Sequence, residues 1–100
     1  MSEPLPASDI ASRLADLPGW RHEEDRLKKA FSFSSFREAM SFLLRVSYEA
    51  EERDHHPEIF NCYNRLEIAV NTHDAGGKVT EKDFSLVAAI EALGASTLQR

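Results

Sequence analysis

A single residue, Asn64, separates two segments that both read as β-strands, and that short gap decides the architecture. Glu58 to Tyr63 is the first segment. Arg65 to Asn71 is the second, with Leu66, Ile68 and Val70 on one side and Glu67, Ala69 and Asn71 on the other. A period of two is what a strand with one covered face requires. Parallel neighbours need a crossover of roughly a dozen residues or more, so this pair must fold back as an antiparallel hairpin. The same period recurs between Trp20 and Phe33, where Leu27, Phe31 and Phe33 alternate with Lys28, Ala30 and Ser32. The polar stretch His22-Glu23-Glu24-Asp25-Arg26 is the expected turn ahead of that strand.

Helical periodicity fills the intervals. Ser8 or Asp9 can cap a helix to about Leu17 with Ile10, Leu14 and Leu17 on one face, stopped by Pro18-Gly19. Ser35-Phe36-Arg37-Glu38 is a capping box that opens a helix to about Arg53, with Phe36, Met40, Leu43 and Ala50 on its apolar side. Pro57 cannot continue it, so His55 and His56 fall in the following loop. After Gly76-Gly77, Thr80 caps a last helix whose first turn carries Glu81 and Asp83. Phe84, Leu86, Val87, Ile90 and Leu93 cover more than one stripe of it, which predicts one side on the sheet and another on a second subunit. The order α-β-β-α-β-β-α predicts an α+β fold, a four-stranded antiparallel sheet with the helices packed on one face.

One hundred residues, 42% of them hydrophobic, suit a single domain over residues 1–100, with 1–7 expected as a flexible N-terminus. Seventeen acidic against twelve basic residues give a net charge of −5, which argues against nucleic acid as a partner. The lone Cys62 excludes an internally disulfide-stapled scaffold and reads as a packing residue. The N-terminal stretch has neither the basic nor the apolar region of a signal peptide, and no apolar run approaches the roughly 18–20 residues of a membrane span. A cytoplasmic protein without a membrane partner is the expectation.

Asp54-His55-His56-Pro57 leaves the long helix and Asn71-Thr72-His73-Asp74 leaves the clearest strand, so side chains from both can meet over a pocket. Imidazole, with an unperturbed pKa of about 6.5, both gives and takes protons near neutrality. Two or three of them suit an elimination or isomerisation in which one proton arrives as another leaves. Plainer readings exist for the same residues. The histidine pair can be solvent-exposed or hydrogen-bonded structure, and His73-Asp74 can be turn chemistry. A metal site is a third reading, although the spacing matches no His-x3-His or zincin pattern.

The spacing Glu51-x3-His55-His56-Pro57-x5-Tyr63-x9-His73-x9-Asp83 resembles the signature of the pterin-4a-carbinolamine dehydratases. Pro18-Gly19-Trp20, Asp54-His55-His56-Pro57-Glu58, Phe60-Asn61-x-Tyr63-Asn64 and Thr72-His73 agree with it, and the likeness runs from about Leu14 to Ala92. The resemblance implies dehydration of 4a-hydroxytetrahydropterin to quinonoid dihydropterin, a recycling step for tetrahydrobiopterin, on the α+β fold. It implies no cofactor, no metal, and a homodimer or homotetramer. It places the three active-site histidines on His55, His56 and His73, and the pterin-contacting segments on Asp54-His55-His56 and Asn71-Thr72-His73-Asp74. Trp20 falls where a tryptophan lines the pocket, and Glu51, with Pro57 beside the pair, falls where a carboxylate supports the site.

On this footing His55 and His73 are the expected acid–base pair and His56 orients the ring, while Asp54 and Glu51 hold an imidazole in the useful tautomer. Backbone groups near Thr72 and His73 are candidates for the pterin edge, and Trp20 for an apolar wall. Trp20 also suits the core, Tyr63 suits strand packing, Glu51 suits a solvated helix end, and Asp83 reads as a helix N-terminal charge. The loop from Asp74 to Thr80 lacks the cysteine that some relatives carry just after the third histidine. Some relatives keep the fold as interaction or assembly factors without the chemistry. Such a factor has no need of all three histidines, and this chain has all three.

Overall fold

The structure, a computed structural model, describes residues 3–94. Its elements are α1 (Ala7–Leu14), β1 (Arg21–Glu23), β2 (Arg26–Ser32), α2 (Phe36–Arg53), β3 (Glu58–Cys62), β4 (Arg65–Val70), a 3-10 turn (His73–Ala75) and α3 (Glu81–Ala92). The strands form one antiparallel sheet in the order β1-β2-β4-β3. The two hairpins therefore join through β2 and β4, where Leu27 faces Val70, Lys29 faces Ile68 and Phe31 faces Leu66. That register puts Leu27, Phe31, Leu66, Ile68 and Val70 on one face, all buried. The fold class is as the sequence predicts.

Helices cover that face. Ala39, Phe42, Val46 and Ala50 of α2 meet it alongside Phe84, Leu86, Val87 and Ile90 of α3. The Phe42 ring centroid lies 5.1 Å from that of Phe31 and 5.4 Å from that of Phe33, tilted against both. Each large side chain so buried contributes about 1.5–3 kcal/mol. The opposite face of the sheet carries charge pairs, Arg26 with Glu58 at 2.7 Å and Arg21 with Glu67 at 2.9 Å. Among the described residues no helix is long and apolar enough to cross a membrane.

Several local expectations change. Helix α1 begins at Ala7 behind Pro6, with no side-chain cap from Ser8 or Asp9, and ends at Leu14. Leu17 packs on the core from the turn beyond it. Ahead of α1, the Leu5 N–H donates to Val79 O at 2.9 Å. The first hairpin turns on Glu24 and Asp25 alone, at φ 55° and 58°, so His22, Glu23 and Arg26 belong to strands. Two-residue hairpin turns need left-handed backbone to follow the strand twist, and that geometry outweighs the run of polar residues. Tyr63 is likewise a turn residue at φ 54° and largely exposed, and Cys62 is exposed rather than packed.

On α2 the buried stripe is centred on Ala39, Phe42, Val46 and Ala50. Met40 and Leu43 are its flanks, and Phe36 is exposed. Small Ala39 and Ala50 let the helix approach the sheet, and that closeness selects the stripe. Contrary to the expectation for α3, its Phe84, Leu86, Val87 and Ile90 are all buried within one chain. Surplus apolar surface lies instead on Leu44 and Tyr48 of α2 and on Ile59 and Phe60 of β3.

Candidate active site

The site starts with the way α2 stops. Asp54 adopts left-handed backbone at φ 50° and its N–H bonds back to Ala50 and Glu51 carbonyls. His55 N–H also donates to Ala50 O at 3.0 Å. This closes the helix end with two back-reaching bonds, and aspartate is among the few side chains that tolerate the conformation. The reversal carries His55 to the N-terminus of α3. There His55 Nε2 lies 2.6 Å from Asp83 Oδ1. Asp83 is fully buried and the His55 side chain only 10% exposed.

Asp83 is held in turn. Its Oδ2 accepts from Thr80 N–H at 2.8 Å, completing the capping box of α3, and from the Thr72 hydroxyl at 2.9 Å. The hydroxyls of Thr72 and Thr80 are 2.6 Å apart, and both residues are buried. One carboxylate thus ties together the end of α2, the segment after β4 and the start of α3. A buried carboxylate is tolerated only when its lone pairs are taken up in this way.

His56 is the more exposed of the pair. Its Nε2 lies 2.9 Å from Glu51 Oε1, and both side chains are mostly exposed, at 57% and 82%. His73 opens the 3-10 turn and is exposed, with no side-chain hydrogen bond among the described residues. Its backbone is fixed by the loop behind it, where Gly76 N–H donates to His73 O and Gly77 N–H to Thr72 O. Gly76 and Gly77 take φ 74° and 76°, which only glycine adopts freely. The Asn71 amide donates to Gly77 O at 3.1 Å and closes the loop.

These parts enclose one cavity of about 280 Å³. Asp54, His55 and His56 line one side, Asn71, Thr72, His73 and Asp74 the other, and Lys82 stands at the first turn of α3. A larger depression of about 390 Å³ lies on the open face of the sheet. Its charges are held in pairs, Arg26 with Glu58, Lys28 with Glu24 and Glu67 with Arg21.

Seven of the residues singled out from the sequence therefore converge. Glu51 reaches the group through His56, and Pro57 follows the pair, half-buried. Trp20 does not join them. It is buried in the core, its ring edge-on to Phe31 at 6.2 Å and its indole N–H donated to Glu91 Oε2 at 2.8 Å. The carboxylate on His55 is Asp83, not Asp54. The backbone of Thr72 is also committed, its N–H to Lys78 O and its C=O to the N–H groups of Ala75 and Gly77, so neither is left for a ligand.

Asp83, Thr80 and Lys82 are the additions. From the sequence Thr80 reads as a cap and Asp83 as a charge at the helix N-terminus, which explains the carboxylate without a histidine, and only its signature position hinted at more. Nothing in the sequence marked Lys82.

Comparison with known proteins identifies the family. The family model described as pterin 4 alpha carbinolamine dehydratase matches residues 3–93. A protein of Opitutus terrae named "Putative pterin-4-alpha-carbinolamine dehydratase" is 51% identical over 87% of this chain and 90% of its own length. One of the same name from Christiangramia forsetii is 41% identical over 97% and 99%. Among solved structures, a transcriptional coactivator/pterin dehydratase from Brucella melitensis superposes with a TM-score of 0.84 at 33% identity, covering 90% of this chain and 97% of that one. A pterin dehydratase-like protein identified as a RuBisCO assembly factor in the alpha-carboxysome has a TM-score of 0.63 at 25% identity, covering 77% and 90%. With the family model matching residues 3–93 and a relative 51% identical over 87% of the chain, the chain belongs to the pterin-4-alpha-carbinolamine dehydratase family.

Proposed function

We propose that the chain is a hydro-lyase that converts a 4a-hydroxytetrahydropterin to the quinonoid dihydropterin and water, in the recycling of a tetrahydropterin cofactor. The observation that carries this reading is the meeting of His55, His56 and His73 around one cavity, although they come from two distant loops. The reaction removes the N5 proton and delivers a proton to the C4a hydroxyl, which leaves as water. Two positioned groups with opposite tasks meet that need. His55 and His73 form this pair, one ring locked by Asp83 and the other free to turn. His56, held by Glu51, orients the pterin from the open side.

A positioned general acid or base contributes about 10²–10⁴-fold. The test follows the decay of generated 4a-hydroxytetrahydropterin by absorbance, with the wild type, His55→Ala and His73→Ala. Acceleration by the wild type and its loss in both variants is expected. The likeness to the assembly factor motivates a second reading, an interaction protein on the same fold. A folded wild type that leaves the uncatalysed rate unchanged selects that reading instead.

A further inference from the structure

We infer that Thr72 and Thr80 are positioning residues: they hold the Asp83 carboxylate so that its Oδ1 meets His55, and the carboxylate they place sets the tautomer of that ring. The role of this tautomer lock in turnover rests on the dehydratase reading; the lock itself does not. Its directions can be assigned bond by bond. A carboxylate only accepts, and a hydroxyl has one proton to give. Thr72 gives its proton to Asp83 Oδ2 at 2.9 Å, so the 2.6 Å bond between the two hydroxyls is donated by Thr80. Thr80 Oγ1 accepts in turn from Lys82 N–H at 3.1 Å. Thr80 N–H is the second donor to Oδ2, at 2.8 Å. Two fixed donors hold Oδ2, which leaves Oδ1 for His55. His55 Nε2 must then carry the proton, and Nδ1 is the ring atom left to take one from a substrate.

The assignment makes a counterintuitive forecast for Asp83→Asn. Thr72 and Thr80 still demand an acceptor, so the oxygen of the new amide would face them and its NH₂ would face His55. An amide donor there requires an unprotonated Nε2, and the ring flips to the Nδ1–H tautomer. The experiment is two-bond proton–nitrogen correlation NMR on the ¹⁵N-histidine protein without ligand, at about pH 8, above the usual imidazole range. Wild-type His55 should show Nε2–H, and D83N should show Nδ1–H with kcat lowered roughly 10³–10⁴-fold, as expected for a base held in the wrong tautomer.

Thr72→Val alone should lower kcat by roughly tenfold or more with KM unchanged, and Thr72→Ser should restore it. These two variants also stand in if D83N does not fold. Nδ1–H in the wild type, or Nε2–H retained in D83N, overturns the lock whatever the activity. A Thr72→Val protein with unchanged kcat overturns the positioning role of Thr72. A wild type that shows Nε2–H but no dehydratase activity upholds the lock and refutes the dehydratase reading.

Discussion

The two histidines that face each other across the cavity are built in opposite ways. His55 is nearly buried and belongs to the framework, because its ring is one terminus of a network joining the α2 end, the post-β4 segment and α3. His73 is exposed and, among the described residues, tied only through its backbone, by a glycine loop. A ring fixed in the framework is preorganised and cannot turn. A ring on a loop can reorient between accepting and delivering a proton. On the proposed dehydratase reading, the pairing would give proton transfer one fixed reference and one adaptable partner.

The sharpest way to break this contrast is to remove each ring separately. Both His55→Ala and His73→Ala should lower kcat by about 10²–10⁴-fold. Their stabilities should diverge. Without His55 the buried Asp83 loses a partner, and urea unfolding should show a loss of about 1–3 kcal/mol. Without His73 the change should stay within about 0.5 kcal/mol. Equal destabilisation of the two variants would show that His55 is not part of the framework.

Asp83→Ala acts on the anchored side alone. It removes the helix cap and strands the Thr72 hydroxyl, the Thr80 N–H and the His55 ring together. A loss of about 3 kcal/mol or more is expected from breaking such a buried network, measured by urea or thermal unfolding. On the loop side, Gly76→Ala meets no atom within 4 Å of the new Cβ, but φ is 74°. The penalty is therefore conformational, about 1–2 kcal/mol, with kcat falling as His73 shifts. A fully active Gly76→Ala protein would mean that the loop does not set the position of His73.

The same contrast explains what was legible in the sequence. The strand pairs follow from alternation in Arg65–Val70 and from the brevity of the turn, both local signals. The meeting of His55 with His73 was readable because each follows a well-marked element end. Asp83 was hidden by its own good local explanation: a negative charge suits the first turn of a helix, and nothing in the pattern says that one of its oxygens reaches a ring twenty-eight positions away. Trp20 departs from expectation for the converse reason. Its indole found Glu91 as a partner and its ring found Phe31, so the core claimed it. The α2 stripe differs at Phe36 because a helix with apolar residues on several sides has no unique face until the sheet selects one.

The smallest expected effect concerns an acid with the opposite setting from Asp83. Glu58 lies on the open face of the sheet, with its side chain 63% exposed and both oxygens on Arg26, at 2.7 and 3.1 Å. The hydrogen bonds from Arg26 hold its carboxyl below the ordinary value of 4.5, helped by the charges of Arg26 and Lys28 and opposed by slight burial. A carboxyl depressed in the folded state binds fewer protons there than in the unfolded chain. Its contribution is therefore complete above about pH 4.5 and fades as the pH drops through the folded value. Solvent screens this pair, so Glu58→Gln should move the urea midpoint at pH 7 far less than Asp83→Ala does. The gap between Glu58→Gln and the wild type should persist down to about pH 5 and close in more acidic solution. A gap that stays constant into strong acid would assign the effect of Glu58 to packing rather than charge. A gap as large as that of Asp83→Ala would remove burial as the reason the two carboxylates differ.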